Sequence, residues 1–232
     1  LREMSTTYGR SPGGYLWAIL EPAGGIAMLT LVLSVGLKIR VPSLGDNFPI
    51  FFASGLLVFL TYVRVGGSVA TAIPFSRALL YYPGVTYMDA MLARVILKVL
   101  TQTVVFFIVA GGIIVLFDPR VQIDLPPILF ALALATLLGF GIGSLNAFLF
   151  QMFPFWQSLW GIATFPLMLL SCVIFLYEDM PPIGQEVLWY NPLMHVTALS
   201  RRGFYPTYEA VWISPTFVLL FALIPAVLGQ IF

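Results

Sequence analysis

Six long apolar segments constrain the fold of this chain more than any other feature. They cover residues 15–37, 49–73, 89–117, 127–150, 157–177 and 211–232, and the breaks between them carry Pro, Asp and Glu residues. An α-helix needs about 20 apolar residues to cross the hydrocarbon core of a bilayer. The sequence therefore predicts an all-α membrane protein, a single domain of six transmembrane helices with both termini on one side of the membrane.

The composition indicates lipid rather than water as the solvent of this chain. Hydrophobic residues make up 60% of the sequence and charged residues 9%, whereas roughly a quarter of the residues in a soluble domain are charged. The net charge of +1 gives no support for a nucleic-acid partner, and the single cysteine, Cys172, excludes an internal disulfide. The chain starts at Leu1 rather than at Met, so we expect truncated termini. No secretory signal peptide is visible.

Basic residues do not fix the orientation of the chain. If both termini are cytoplasmic, five of the Lys and Arg residues that flank the segments fall on each side of the membrane. The positive-inside rule therefore gives no answer. Trp17, Trp156, Trp160, Tyr177 and Trp212 lie near segment ends, where aromatic side chains prefer the headgroup level.

Two charged residues lie well inside the first two apolar segments. Glu21, followed by Pro22, is in the first segment, and Arg64 is in the second. Charged side chains in membrane helices are costly and face protein or water. Glu21 either lines a polar path or joins two helices through a hydrogen bond. Arg64 either pairs or extends to the membrane surface, or it attracts the anionic head of a lipid-linked substrate.

The fourth segment carries small residues at a spacing of four: Ala135, Gly139, Gly143 and Ala147. This spacing predicts one helix face on which a neighbouring backbone approaches closely. The glycines of this segment are not followed by the lysine of a phosphate-binding loop. No Walker-type loop occurs in the sequence, so the chain does not bind ATP by that route.

A short amphipathic stretch at residues 74–88 interrupts the apolar sequence. Phe75, Leu79 and Tyr82 recur at helical spacing with Arg77 on another side, and Pro83-Gly84 then ends the turn. Thr86 and Asp89 have the spacing of a capping box for the next helix. So short a helix needs a partner, which is either the membrane surface or another protein.

Two further stretches outside the apolar segments are predicted to be helical. Residues 1–14 favour an interfacial helix, with Arg2, Glu3 and Arg10 off its apolar face, although a frayed leader fits as well. In the outer segment, residues 178–211, Asn191-Pro192 predicts a helix start. That helix would place Arg201 and Arg202 at the outer surface. His195 is the only histidine, and a structural role is favoured because no partner for catalysis is evident.

Three stretches together resemble a known family. They are LREMSTTYGRSPGGYLWAILEP at residues 1–22, RALLYYPGVTYMDAMLAR at 77–94 and NPLMHVTALSRRGFYPTY at 191–208. In this order they resemble the transmembrane permease subunit of capsular polysaccharide exporters of the ABC-2 class. Two positions depart from that pattern: Ala198 stands where an acidic residue is expected between His195 and Arg201, and Phe155 follows Pro154 where an acid is expected.

The resemblance implies a role for each polar stretch. Residues 1–14, with Arg2, Glu3 and Arg10, would form a cytoplasmic interface helix. Residues 75–82 would form a coupling helix that contacts a separate ATPase subunit. The outer segment would form two short re-entrant helices. The side chains implied at the coupling helix are Phe75, Arg77, Leu79, Tyr81 and Tyr82, and those implied in the outer segment are Asn191, His195, Arg201 and Arg202.

The resemblance also implies partners and a location. The chain would form a homodimer in the bacterial inner membrane, multi-pass with both termini cytoplasmic. An ATPase dimer would bind ATP and Mg²⁺, with no cofactor in this chain. Periplasmic and outer-membrane export proteins, membrane lipids and a lipid-linked polysaccharide would complete the system. The residues proposed to line the substrate path are Trp17, Glu21, Arg64, Trp156 and Trp160; the three tryptophans either stack on sugar rings or belong to the aromatic membrane belt.

Other functions are open at this stage. An ABC-2 exporter of O-antigen, teichoic acid or a drug fits the same pattern. A membrane-embedded glycosyltransferase or acyltransferase would need a clustered acid, base or metal site, and one histidine, one cysteine and scattered carboxylates argue against it. An ion-coupled transporter would need paired ionisable residues and inverted repeats, neither of which is evident.

Overall fold

The computed structural model describes residues 14–36, 38, 41–77, 81, 84, 86–117 and 122–231, and these residues form helices joined by turns, with no strand among them. The elements are α1 (Gly14–Leu31) continued by a π-helical turn (Val32–Gly36), α2 (Phe48–Ala70), α3 (Ala72–Ser76), α4 (Tyr87–Phe117), α5 (Leu125–Met152), α6 (Pro154–Leu170), a 3-10 turn (Tyr177–Asp179), α7 (Pro182–Trp189), α8 (Pro192–Phe204) and α9 (Pro215–Ile231).

Four stretches are long and apolar enough to cross a membrane: Leu16–Gly36, Phe48–Ala70, Tyr87–Phe117 and Leu125–Met152. The predicted all-helical, multi-pass class is therefore confirmed. α6 and α9 correspond to the fifth and sixth predicted segments, but each has only 17 residues, below the roughly 20 that a straight span needs. The count of six spans stays a prediction.

The fifth predicted segment extends too far. We expected it to continue to Tyr177, but helix α6 ends at Leu170, and Cys172 adopts a left-handed backbone with φ of 54°. The second predicted segment, 49–73, is also too long. Helix α2 stops at Ala70, and a turn at Thr71 separates it from α3. The interface helix predicted over residues 1–14 falls outside the described residues apart from Gly14, which begins α1.

The core forms where α2 packs against α5 and α5 packs against α9. A Cβ atom added to Gly139 would lie 2.9 Å from the Tyr62 carbonyl oxygen, and one added to Gly143 would lie 2.7 Å from the Gly66 carbonyl oxygen. Larger side chains would push the two backbones apart. The predicted small-residue face is therefore confirmed, and Gly141 allows α9 to approach a second face of the same helix near Ala222.

Two helices lie at the periphery of this core. α1 buries only a narrow stripe that includes Ala18, Pro22 and Ile26, and all 17 residues of α6 are at least partly exposed. In one copy of the chain, α1 and α6 thus carry large apolar surfaces that only lipid or another protein can cover.

Local sequence signals explain two helix starts. At α4 the predicted capping box forms: the Thr86 N–H donates to Asp89 Oδ2 at 2.9 Å, and the Asp89 N–H donates to Thr86 Oγ1 at 3.3 Å. At α8 the Asn191 Oδ1 accepts the Leu193 N–H at 3.0 Å, with Pro192 in the first turn. These three bonds satisfy N–H groups that the helices themselves leave unpaired.

Candidate transport path and coupling surface

An ion pair between Glu21 and Arg64 joins three helices. Arg64 Nη2 of α2 lies 2.9 Å from Glu21 Oε2 of α1. Arg64 Nη1 donates to Gln102 Oε1 of α4 at 3.2 Å. Arg64 thus pairs within the protein rather than extending alone to the membrane surface. Glu21 does join two helices, which was one of its two predicted roles.

The two partners of this pair differ in exposure. The Arg64 side chain is 15% exposed, whereas the Glu21 side chain is 55% exposed. A carboxylate with half of its surface open is poorly placed against lipid tails. The Glu21 face of α1 therefore suits contact with water or with another polypeptide, so a position on a polar path is compatible with its role in helix pairing.

The three path tryptophans have different environments. Trp17 on α1 is 65% exposed. Trp156 on α6 donates from Nε1 to Asn146 Oδ1 of α5 at 3.0 Å, which holds the start of α6 against the core. Trp160 lines an apolar cavity of about 220 Å³ that is bounded by α6, α2, α5, the start of α8 and α9. Of the three, Trp17 is the most open to a passing ligand.

The described part of the coupling stretch is a short helix held by Arg94. The guanidinium of Arg94 lies 4.3 Å from the centre of the Phe75 ring, and its Nη1 donates to the Thr71 carbonyl oxygen at 2.8 Å. Both contacts join α3 and the end of α2 to the first turns of α4. The stretch at residues 77–94 that resembles the family includes Arg94, but the sequence predicted no role for it, because its partners depend on the turn between α3 and α4.

The residues predicted at the coupling helix are either exposed or outside the described residues. Arg77 and Tyr81 are exposed, and Phe75 is half exposed despite its contact with Arg94. Leu79 and Tyr82 lie outside the described residues, as do Arg2, Glu3 and Arg10 of the interface helix. The described corner therefore presents one aromatic ring, one cation and one phenol on its surface.

In the outer segment, side chains of α8 and of its N-cap residue bind carbonyl groups at and just after the end of α6. Asn191 Nδ2 donates to the Leu170 carbonyl at 2.9 Å and Thr197 Oγ1 donates to the Ser171 carbonyl at 2.8 Å. Arg201 donates from Nη2 to the Val173 carbonyl at 2.9 Å and from Nη1 to the Phe175 carbonyl at 3.1 Å. We name these three side chains, which belong to Asn191 at the N-cap of α8 and to Thr197 and Arg201 within it, the α8 clamp. Because these hydrogen bonds satisfy the carbonyl groups, helix α6 can end at Leu170 without leaving them unpaired.

Arg201 is the clearest correction to the sequence analysis. It was expected at the outer surface beside Arg202, but it is 1% exposed and lies 4.4 Å above the centre of the Phe51 ring. Burial lowers the pKa of its guanidinium from the ordinary value. Gly55 lies next to it, and a Cβ there would be in van der Waals contact with Arg201 Nη2 at 3.4 Å. Arg202 is exposed, as predicted.

His195 joins α8 to the end of α7 and to the residue before α9. Its Nδ1 accepts the Ser214 N–H at 3.2 Å, so its proton is on Nε2, which donates to the Trp189 carbonyl oxygen at 2.8 Å. The ring is 1% exposed and packs against Trp189, Trp212 and Phe217. Burial lowers the pKa of His195, and this effect exceeds the opposite effect of the bond to Trp189.

No metal centre is evident in the part of the chain that the structure describes, where no three His, Cys, Asp or Glu residues are grouped to hold an ion. The features that are present are a half-exposed ion pair inside the spans, an exposed corner between α2 and α4, and a buried clamp in the outer segment. This combination of apolar helices and isolated polar contacts defines a multi-pass α-helical membrane protein that has the features of a transporter.

Comparison with known proteins identifies the family. Residues 1–205 match the family described as ABC-2 type transporter. This match covers most of the chain, and the protein therefore belongs to the ABC-2 type transporter family. Its members are transport permeases rather than enzymes.

Several relatives are similar along nearly the whole chain. The polysialic acid transport protein KpsM of Escherichia coli is 28% identical over 229 residues, which is 99% of this chain and 88% of the relative. The capsule polysaccharide export inner-membrane protein CtrC of Neisseria meningitidis serogroup B is 25% identical, over 99% of this chain and 86% of the relative. The corresponding protein BexB of Haemophilus influenzae is 26% identical, over 91% and 80%.

Proposed function

We propose that this chain is the transmembrane permease of an ATP-driven exporter that moves a lipid-linked capsular polysaccharide across the bacterial inner membrane to the periplasm. The observation that carries this proposal is the similarity over 99% of the chain to relatives named for polysialic acid transport and capsule polysaccharide export. The half-exposed Glu21 carboxylate inside the spans supports it, because a hydroxyl-rich polymer needs polar groups along its path.

The functional unit is a homodimer. Six helices of one chain are too few to enclose a polymer, whereas twelve from two chains can surround one. The exposed surfaces of α1 and α6 favour this arrangement, since both helices lack neighbours over most of their apolar residues. Trp17 and Glu21 lie on α1, so pairing along this helix places them near the path, where the Trp17 ring stacks on sugar faces.

A separate ATPase dimer drives transport and binds ATP and Mg²⁺, with no cofactor in this chain. The coupling surface consists of Phe75, Arg77 and Tyr81, together with Leu79 and Tyr82 outside the described residues. Arg94 supports a mechanical role for this surface, because its contacts with Phe75 and Thr71 transmit displacement of α3 directly to α4.

The gating step is a movement of the first and fifth spans. The described hydrogen bonds attach α6 at its two ends, through Trp156 on Asn146 and through Asn191 on the Leu170 carbonyl, while none of its residues is buried. A helix held in this way shifts without breaking a packed core. The contacts of Arg64 with Glu21 and Gln102 link α1 to α2 and α4. A movement that the ATPase imposes on α4 is therefore transmitted to α1, which lines the path.

The outer segment re-enters the outer leaflet on the periplasmic side through α7 and α8. Both termini are then cytoplasmic, with residues 1–14 as an interface helix, and the periplasmic face meets the periplasmic and outer-membrane export proteins. Pairing with such proteins suits a capsule, since the polymer has to continue through a second membrane.

Deletion of the gene for this chain in its host, followed by immuno-electron microscopy of the polysaccharide, tests the proposal. Export predicts polymer retained in the cytoplasm and a bare cell surface. Absence of polymer everywhere would indicate a role in synthesis instead. A normal capsule would rule out capsular polysaccharide as the substrate and would favour export of another one, such as O-antigen, teichoic acid or a drug.

A further inference from the structure

Glu178 is a surface carboxylate held in one position by two aromatic donors. Trp212 donates from Nε1 to Glu178 Oε1 at 2.9 Å. The Tyr208 hydroxyl lies 3.1 Å from both carboxylate oxygens. Tyr208 is itself 8% exposed, whereas the Glu178 side chain is exposed. A free surface glutamate samples many rotamers, but this one is oriented before any ligand arrives.

Aromatic rings adjoin this carboxylate. The Tyr177 ring centre lies 4.3 Å from that of Trp212, with 43° between the ring planes, and both side chains are partly exposed. The His195 ring supports Trp212 from another side at 5.5 Å. Because His195 also bonds the Ser214 N–H and the Trp189 carbonyl, the ring pair rests on a fixed base rather than on a free loop.

We propose that Tyr177, Glu178 and Trp212 form a saccharide-binding subsite on the outer segment. An ionised carboxylate has about four acceptor positions, and the two donors on Glu178 leave acceptor capacity that faces solvent. Sugar rings combine an apolar face with hydroxyl groups at the edge, which match an aromatic surface beside a hydrogen-bond acceptor. The fixed geometry lowers the entropy lost when a sugar binds.

The charge of Glu178 defines the class of sugar. Hydroxyl groups donate to a carboxylate in strong, charge-assisted hydrogen bonds. Uronic or sialic acid units carry a carboxylate of their own, which Glu178 repels. Arg201, the arginine of the α8 clamp, is buried and directed to the backbone, so it is not available to bind an anionic sugar here. The subsite therefore takes neutral sugar units.

This inference rests on the proposed function for its place in transport, because it puts the subsite at the exit where the polymer emerges. A site there holds successive neutral units as they leave the membrane and opposes their return. Binding itself, however, is a property of this chain alone and can be measured without the ATPase.

Saturation-transfer difference NMR on the full chain in lipid nanodiscs tests the subsite. The probes are three neutral hexasaccharides (maltohexaose, cellohexaose and a mannohexaose) and a sialic acid hexamer. We expect signals from at least one neutral hexamer and weaker signals from the acidic one. Glu178→Gln keeps an acceptor for Trp212 and Tyr208 but removes the charge, and should weaken binding about tenfold.

Matched controls separate binding from folding. Glu186→Gln removes another exposed carboxylate, on α7, and should leave binding unchanged. Tyr177→Ala should abolish the signal, whereas Tyr190→Ala, at a tyrosine that is 69% exposed, should not. Equal melting temperatures of the Glu178 and Glu186 variants would show that both are folded.

The proposal is overturned if no neutral hexamer binds, if Glu178→Gln binds as the unchanged chain does, or if the sialic acid hexamer binds as tightly as a neutral one. These outcomes differ from failure of the proposed function, because a normal capsule in the deletion strain would rule out capsule export by this chain without altering a binding measurement on the isolated chain.

Discussion

The guanidinium of Arg64 and the carboxylate of Glu21 meet at 2.9 Å, with the arginine inside the helix bundle and the acid half open. The arginine is also held by Gln102, so the acid is the member of the pair that can be displaced. Because of this asymmetry, α1 can separate from α2 and α4 during transport by breaking the contact of Glu21 with Arg64. Arg64 then keeps its hydrogen bond to Gln102.

Exchange of the two charges tests this pair. Glu21→Gln and Arg64→Gln should each lower stability by about 1–2 kcal/mol, between the values for surface and buried pairs, and should reduce export. The double variant Glu21→Arg with Arg64→Glu should recover part of both. The double variant Glu21→Gln with Arg64→Gln completes a double-mutant cycle from melting temperatures and export rates that measures the coupling; purely additive losses would show that the contact has no energetic role.

Reversal of charge at Arg77 should disconnect the ATPase from transport. Arg77 is exposed beside the half-exposed Phe75, so Arg77→Glu changes the coupling surface without disturbing the core. ATP hydrolysis should continue in the assembled complex while export falls at least about tenfold, which corresponds to 1.4 kcal/mol of lost coupling. Lys38→Glu, at another exposed basic residue, is the control. Export at the normal rate in Arg77→Glu would show that α3 does not contact the ATPase.

Adjacent arginines in α8 should respond very differently to the same change. Arg201→Met removes two hydrogen bonds to buried carbonyl groups and should cost about 2–4 kcal/mol, a decrease in melting temperature of roughly 5–15 °C for a chain of this size. Arg202→Met, at the exposed neighbour, should cost almost nothing. Melting curves in detergent compare the two, and similar losses at both positions would contradict the α8 clamp.

Low pH should destabilise the outer segment by protonating His195. Its pKa in the fold is below the ordinary value of 6.5 because it is buried. The unfolded chain therefore takes up the proton first, so the contribution of His195 is complete above about pH 6.5 and is lost as the pH falls toward the lowered pKa. A protonated ring also cannot accept the Ser214 N–H. The melting temperature should drop between pH 7.5 and 5, and His195→Gln should flatten that drop.

A different result for His195 would be equally clear. If the unchanged chain and His195→Gln lose stability in parallel as the pH falls, other groups cause the acid sensitivity. The buried position of the ring would then have no consequence for the pH range in which the protein works.

Local patterns in the sequence predicted much of this fold. Apolar length located the long helices, the spacing of Thr86 and Asp89 located the start of α4, and Asn191-Pro192 located α8. Small residues at a spacing of four identified the face of α5 that meets α2. Each of these signals depends on neighbours within one helix, which is what a single sequence displays.

Such local patterns could not predict contacts between elements that are distant in the sequence. The apolar run after Leu170 continues to Tyr177, and only the clamp from α8 explains why the helix ends first. Arg201 resembles a surface residue in sequence because its partners are carbonyl groups, which carry no sequence signal. The contact of Arg94 with Phe75 likewise depends on how the chain turns between α3 and α4.

Transport by this chain can be measured most directly in inverted inner-membrane vesicles that contain it together with its ATPase. Labelled lipid-linked polysaccharide and ATP are added outside, and polymer that becomes protected from a glycan-degrading enzyme is counted. The account predicts protection that requires ATP and this chain and that is lost with Arg77→Glu. Protection that is independent of ATP, or that persists without the chain, would contradict it.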